Sequence, residues 1–456
     1  MNRLSSETFR ENARAALADV QLRGALKNAT SLFGERRKEA AASLPNWEEL
    51  RTQARAIKDE ALSHLDQYLE EFKRNAEGRG AVVHRARDAA EANAIITKLA
   101  IDRHAKIVVK SKSMTTEETH LNTALEAAGL QVVETDLGEY IIQLANETPS
   151  HIIAPAIHKT RRQVAELFTA ELGMPPTDDV AQLTSTARAT LRDRFASADV
   201  GISGVNFAVA ETGTIVIIEN EGNIRLTTSL PRIHLAVMGI EKVVPRFADL
   251  DVFLKLLPRS GTGQRLTTYQ SFITGTKREA TDEGPEELHI VLLDNGRSRM
   301  LAHPVTRQSL ACIRCGACLN SCPVYQQIGG HAYGSVYPGP IGAVITPQLM
   351  GIEKSSQLPY ASSLCGACRD VCPVKIDIPQ LLLHLRGEIA PRQGSVAERV
   401  AFKIWARVMM SPALYRMSSV AGRIMQRVMP LSRAWTNGRD LRPIESRSFR
   451  DQWKDE

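Results

Sequence analysis

The stretch from Cys312 to Pro373 constrains this chain more than any other. It opens with Cys312-Ile-Arg-Cys315-Gly-Ala-Cys318-Leu-Asn-Ser-Cys322-Pro323, closes with Cys365-Gly-Ala-Cys368-Arg-Asp-Val-Cys372-Pro373, and holds all seven cysteines of the protein. The first run is C-x2-C-x2-C-x3-C-P, a bacterial ferredoxin-type iron–sulfur signature, and the second is the same run without its first cysteine. Iron in a cubane takes soft thiolates, and a short loop with two-residue gaps wraps three of its corners. The fourth cysteine, followed by a proline that turns the chain away, ligates the other cluster. The spacing therefore predicts two interlaced sets. Cys312, Cys315, Cys318 and Cys372 hold a first [4Fe–4S] cluster, and Cys322, Cys365 and Cys368 hold a second. Three residues before Cys365, where a complete motif has its first cysteine, stands Ser362. The second cluster is one thiolate short. An open iron, a [3Fe–4S] cluster and Ser362 as an oxygen ligand are the alternatives.

Two other chemistries use similar cysteines. Zinc sites use C-x2-C pairs, but four cysteines within eleven residues crowd one tetrahedral ion, and Cys-Pro endings are not a zinc feature. Disulfides need an oxidising compartment and usually an even cysteine count. The N-terminal Met1-Asn-Arg-Leu-Ser-Ser-Glu7 lacks the apolar core of a secretory signal. A reducing cytoplasm is therefore expected. No stretch approaches the ~18 apolar residues of a membrane-crossing helix. The net charge of +6 is too mild to imply nucleic acid, and no recognisable zinc finger or arginine-rich run appears.

A length of 456 residues gives room for about two or three domains. Residues 1–75 are polar and rich in Ala, Glu, Arg and Leu, with amphipathic helices expected at 13–20 and 57–69, suited to packing or docking. From 76 to 300, short β-branched runs alternate with helical patterns. Strands are expected at 106–110, 131–134, 151–155, 214–218, 233–237 and 288–293, and helices at 85–101, 116–128 and 159–172. Such alternation argues an α/β domain with a mainly parallel sheet. Ala210-Glu-Thr-Gly213 reads as a hairpin turn, which would make the sheet mixed.

This segment has no Walker loop and no complete G-x-G-x-x-G, and Gly261-Thr-Gly263 reads as a loop. The candidate anion site is Lys110-Ser-Lys112-Ser113, which leaves a strand and opens a helix, with Thr115-x-x-Glu118 as a capping box. Solvated lysines and a merely capping Ser113 are the competing reading. His158-Lys-Thr-Arg161-Arg162, Glu211-Thr-Gly213 and Glu219-Asn-Glu221-Gly-Asn223 are weaker candidates, for which a surface or turn role is the simpler expectation.

Residues 301–390 form the cluster domain. The glycine- and proline-rich Gly329–Pro347 between the motifs is expected as an ordered loop over the clusters rather than a helix, with His331 a minor ligand candidate. Asp377 should cap a helix running through Leu381–Arg386. The tail, 391–456, is basic and apolar by turns in Phe402–Met410 and Ala421–Met429. It suits packing on the cluster domain, a partner protein or an anionic membrane surface.

Beyond the cysteines, Lys110–Glu118, Asp136-Leu-Gly-Glu-Tyr-Ile-Ile-Gln143, Gly201–Gly213 and Leu226–Pro245 resemble the lactate utilization protein B family, the iron–sulfur subunit of an L-lactate oxidation system. The resemblance covers nearly the whole chain. It implies a lactate-utilisation α/β domain of the NagB/RpiA/CoA-transferase type at 76–300, an α-helical ferredoxin domain with flanking helical segments, and a family-specific C-terminal domain. It also implies two [4Fe–4S] clusters, an electron-transport role, and two partner proteins, one of them cysteine-rich. The family pattern itself has the three-cysteine second motif. The expected function is electron transfer during oxidation of L-lactate to pyruvate. The alternative is a catalytic subunit whose open iron binds a 2-hydroxy acid with Lys112 on the carboxylate. Peripheral contact with the inner membrane face is compatible with either.

Overall fold

The computed structural model of the chain describes residues 5–279, 281–393, 396–428, 445–447 and 449–453. Two compact units are resolved by packing, Met1–Arg386 and Gly387–Glu456. The first is a mixed α/β body built on a parallel sheet and followed by a helical ferredoxin-type region.

The strands are β1 (Ala81–Ala86), β2 (Ile107–Lys110), β3 (Gln131–Glu134), β4 (Val200–Gly204), β5 (Phe207–Val209), β6 (Thr214–Glu219), β7 (Ile233–Gly239), β8 (Val243–Val244), β9 (Tyr269–Ile273) and β10 (Glu287–Leu293). Six of them make an all-parallel sheet in the order β1-β10-β7-β4-β2-β3. Every residue of β7 is buried, as a central strand covered on both faces requires. The helix Asn223–Ser229 lies directly on β4. A Cβ at Gly201 would stand 1.8 Å from the Thr227 carbonyl oxygen, so only glycine admits this approach.

The remaining strands form a separate sheet, β8-β5-β6-β9. Its β5–β6 pair is the expected antiparallel hairpin, closed by Gly213 N–H donating to the Val209 carbonyl at 3.0 Å. The hairpin therefore does not mix the main sheet; it starts a second one. Residues 151–155 form bends and turns instead of the expected strand. His151 Nδ1 accepts from the Ile153 and Ala154 amides there, so the side chain competes with ladder pairing. The helix expected at 116–128 is two, Met114–Glu118 and Leu121–Ala127, separated by His120 in the left-handed region.

Long helices fill the N-terminal segment: Phe9–Ala18, Val20–Ala42, Trp47–Ser63 and Leu65–Glu77. One apolar core joins Leu26, Leu50 and Ala54 of these helices to Phe207, Val216 and Phe253 of the α/β layers. It continues into Leu319, Ile345, Ile376 and Leu381 around the cysteines. Between the motifs, Gly339–Met350 is helical despite its glycines and prolines: Pro340 sits in the first turn, where no amide is needed, and Pro347 lies inside the helix, where burial in the shared core outweighs propensity. Asp377 caps as expected, its Oδ1 accepting from the Gln380 amide at 3.2 Å.

In the second unit the helices Val396–Met410 and Pro412–Val428 contact one another. Phe402, Ile404, Trp405, Met410 and Met417 are exposed there. Met429, the end of the expected amphipathic stretch, lies outside the described residues, as does most of 430–456. Among the described residues, no helix is long and apolar enough to cross a membrane.

Candidate metal centre and adjoining cavity

The two cysteine loops fold alike. Arg314 and Leu364 occupy the left-handed region at φ 61° and 56°, and Gly316 and Gly366 do so at 76° and 89°. One-turn helices follow, Ala317–Asn320 and Ala367–Asp370. Each is closed the same way: the Leu319 amide donates to the Gly316 carbonyl at 3.0 Å, and the Arg369 amide to the Gly366 carbonyl at 2.9 Å. Glycine suits the turn that presents the next thiol, because it takes positive φ without a Cβ penalty.

Cys312, Cys315, Cys318 and Cys372, the four residues expected for the first set, line one common cleft walled by Ile152, Ile313, Ile341, Val374, Ile376 and Ile378. No three of the seven sulfurs come within 4.8 Å of one another. A single tetrahedral zinc would draw its sulfurs to within about 4 Å. The wider spread fits a polynuclear group. Amides point at the sulfurs: Arg314 N–H donates to Cys312 Sγ at 3.4 Å and Ile376 N–H to Cys372 Sγ at 3.3 Å. Burial pushes the Cys372 thiol up to about 11 and the Cys368 thiol up to about 12, with the neighbouring cysteines adding to both. Bare thiolates are thus disfavoured here, and a cationic group that binds sulfur is what such a donor set stabilises.

Cations surround the first set. Arg51, buried, donates to the Cys372 carbonyl through Nε at 3.0 Å and Nη2 at 2.8 Å. Arg37 donates to the Val371 carbonyl at 3.0 Å. Lys58, Lys242 and Arg314 all act electrostatically on Cys312. Burial lowers both lysines to about 8. Arg314 also stacks over the Tyr337 ring at 4.7 Å. At the second set, burial chiefly raises Cys322 and Cys368, with neighbouring cysteines adding, whereas the Ala367 amide and then the Ser363 side chain lower Cys365. Cys365 is exposed, whereas Cys322 and Cys368 are buried.

A cavity of about 270 Å³ opens at the carboxyl ends of β2, β3, β4 and β7, where open α/β sheets bind ligands. Lys112 and Ser113 contribute from the end of β2, Asp136 from β3, Asn206 from beyond β4, and Glu241 and Lys242 from beyond β7. Glu219 and Glu221 face them, and Arg314 and Cys315 complete the wall. One cavity therefore touches both the sheet and the first cysteine loop. Burial, followed by the Asp136 carboxylate, pushes Glu221 up to about 7. Glu241 is held down at about 2: burial opposes ionisation, but Arg297, Arg314 and Lys242 outweigh it.

Models of known families match three consecutive parts of the chain: the LUD domain over residues 69–293, a 4Fe-4S dicluster domain over 308–376, and the lactate utilisation protein B C-terminal family over 380–456. Curated proteins called lactate utilization protein B match almost end to end. Those of Bacillus pumilus (strain SAFR-032), Shouchella clausii (strain KSM-K16) and Geobacillus sp. (strain WCH70) are each 44% identical, over 466, 465 and 470 residues, covering 99% of this chain and 98% of each relative. The chain belongs to the lactate utilization protein B family. A solved DUF162-family protein from Deinococcus radiodurans matches at 15% identity over 50% of this chain and 98% of its own, with a TM-score of 0.28.

In this member of the lactate utilization protein B family, the residues singled out from sequence separate into different environments. Lys110 turns away from the cavity into the protein, where its Nζ meets Glu134 at 2.8 Å and Glu117 at 3.2 Å. Already neutralised, it does not present a charge to an anion, so the Lys110–Lys112–Ser113 grouping reduces to Lys112 and Ser113. Ser113 is the N-cap, accepting from the Thr116 amide at 3.3 Å, and Thr115 and Glu118 form no capping box. Glu118 instead accepts a two-pronged pair from Arg297. His331 bonds to the Thr148 carbonyl at 2.6 Å and packs on His158. Arg161 and Arg162 make exposed ion pairs with Asp178 and Glu166. Glu219 pins its own loop through the Ile224 and Arg225 amides. The residues not anticipated are Arg37, Arg51 and Lys58 on helices without a motif, and Lys242 and Arg314. Arg314 alone carried a local sign, its place inside the first cysteine run.

Proposed function

We propose that this protein is an iron–sulfur electron-transfer subunit in the oxidation of L-lactate to pyruvate, relaying electrons through two clusters held by the two cysteine sets. The names of its relatives and the dicluster match support the setting. The observation that carries the relay is spatial. Cys315 of the first set shares a wall with the cavity, and Cys365 of the second is exposed. Electrons enter beside the cavity and leave at the surface. Loss of two electrons and two protons converts lactate to pyruvate. A cluster takes one electron at a time, so two in series divide the pair and deliver it singly to a downstream acceptor. The chain's own residues set the conditions: Arg37, Arg51, Lys58, Lys242 and Arg314 offset the negative charge of a thiolate-bound cluster, and the isoleucine wall excludes water.

In this reading the cavity takes an organic anion, with Lys112 and Ser113 at one side and Lys242 and Arg314 at the other. The catalytic alternative needs that anion beside the three-cysteine set, whereas the cavity adjoins Cys315, which favours the relay. The two partner proteins belong to the same proposal, and the apolar residues exposed on Val396–Met410 are the surface we assign to them. Pull-down by the purified partners should fail when the tail is deleted. Flotation of the intact chain with anionic liposomes instead would assign that surface to the membrane.

Anaerobic reconstitution with iron counting and redox-titrated EPR tests the relay. Two reducible centres are expected, both reduced by lactate when the partners are present. Iron-loaded protein with no EPR signal after dithionite would end the reading. Lys112→Met should weaken the titration of lactate or pyruvate into the protein, and an unchanged curve would remove the cavity assignment.

A further inference from the structure

The second cysteine set offers one thiolate fewer than a [4Fe–4S] cubane has irons. We infer that the Ser362 hydroxyl oxygen is the fourth ligand of the second cluster; this rests on the reading of two clusters given above. The chain repeats itself across the two loops. Ser362, Cys365, Cys368 and Cys372 have the same spacing as Cys312, Cys315, Cys318 and Cys322. The backbones follow suit, with matched left-handed residues at Arg314 and Leu364 and at Gly316 and Gly366.

The side chains at the first position of each loop also play one role. In the first loop the Arg314 amide donates to Cys312 Sγ at 3.4 Å. In the second, the Leu364 amide donates to Ser362 Oγ at 3.1 Å. An amide that donates to a ligating sulfur in one repeat donates to the serine oxygen in the other. The 0.3 Å or so of difference is what oxygen's smaller radius produces. The competing reading is a simple turn residue whose hydroxyl caps the next amides. The surroundings argue for more. Arg386 donates through Nε to the Pro359 carbonyl at 2.8 Å and through Nη2 to the Ser362 carbonyl at 3.0 Å. Its guanidinium stacks over Tyr360 at 5.1 Å. A cation is thus clamped against the serine, as Arg51 is clamped against the Cys372 carbonyl in the first set. Binding replaces the hydroxyl O–H bond with an Fe–O bond and releases the proton to solvent, with no change in oxidation state. Oxygen is a harder donor than sulfur and favours ferric iron, so the second cluster is the harder of the two to reduce.

The test uses the full chain, reconstituted anaerobically, as wild type, Ser362→Ala and Ser362→Cys. The first cluster's EPR signal reports on folding. Wild type should hold an EPR-silent oxidised cubane at the second site, with one iron whose Mössbauer parameters differ from the thiolate-bound irons. Ser362→Ala should lose that iron and show the [3Fe–4S] signal when oxidised. Ser362→Cys should keep the iron, make its Mössbauer parameters like the others, and shift the second midpoint potential upward. The inference is overturned if Ser362→Ala keeps wild-type iron content and spectra. It is also overturned if the unique iron is unaltered in Ser362→Cys, or if wild type already holds [3Fe–4S]. A wild type with no second cluster would overturn the two-cluster reading instead.

Discussion

Arg297 is the most informative residue to remove. It is 1% exposed and stands where the α/β sheet meets the cysteine region. Its Nε donates to Glu241 at 2.6 Å, and its two terminal nitrogens donate to Glu118 at 2.9 Å each. Glu118 also accepts from Tyr337 Oη at 2.6 Å, and Glu241 pairs with Arg314 at 3.5 Å. Arg297→Met keeps the volume and strands two buried carboxylates. The magnitude follows from Glu241. Its fall from an ordinary 4.5 to about 2, despite burial, corresponds to roughly 3 kcal/mol of stabilised charge. Arg314 and Lys242 share that effect, but Glu118 adds to it. A loss of about 3–5 kcal/mol at neutral pH is expected, as for other broken buried pairs. The sign with pH is fixed. Both carboxyls are held below their unfolded value, so their contribution is full above about 4.5 and fades as pH falls towards 2. In the variant both carboxyls rise, so the deficit should be largest near pH 8 and smaller near pH 5. Anaerobic urea unfolding followed by circular dichroism at both pH values measures this. Arg297→Lys, which keeps the charge and loses the fork, should fall between. A deficit under about 1 kcal/mol, or one independent of pH, would refute the reasoning.

Cys372→Ala should strip iron from the first set and spare the second, although Cys372 lies in the second motif. Cys322→Ala should do the reverse, and EPR that assigns each loss to the residue's own motif would break the interlaced pairing. Glu139 is buried, its oxygens have no hydrogen-bond partner, and burial and then Glu134 hold its carboxyl well above the ordinary value. The unfolded chain ionises first, so Glu139→Gln should gain about 1–3 kcal/mol at pH 8 and little near pH 4.5, measured by unfolding at the two pH values. Gly201→Ala should cost at least about 1–3 kcal/mol, seen as a lowered melting temperature, because its methyl would meet the Thr227 carbonyl.

How much of the fold shows in the sequence depends on what holds each element. Ile107–Lys110, Ile233–Gly239 and Glu287–Leu293 are apolar runs buried in a parallel sheet, and such runs read directly as strands. β4 does not read so, because Gly201, Ser203 and Gly204 dilute it. Its glycines serve close approach, Gly201 to Thr227 and Gly204 to Ser113, a tertiary need with no local signature. Residues 151–155 err the other way, where two isoleucines suggest a strand but His151 captures the amides. Gly339–Met350 reads as loop from composition and is helix by burial, since the tertiary core overrides propensity.

The site divides along the same line. The thiols are legible because their spacing is set by the geometry of one loop, and Ser362 is legible only by counting against that spacing. Charge compensation is not local. A cluster held by four thiolates is negative, and burying it among isoleucines is costly unless cations lie close by. Arg37, Arg51 and Lys58 meet that need from helices whose own sequences show only amphipathic packing, and Lys242 meets it from beyond β7. Their positions are fixed by the shared core, not by a motif, so no periodicity announces them. The same reasoning explains why two loops of one conformation sit in unlike surroundings. The set with three buried thiols has five cations around it, drawn from distant parts of the chain. The set that includes exposed Cys365 has solvent to screen it and requires fewer.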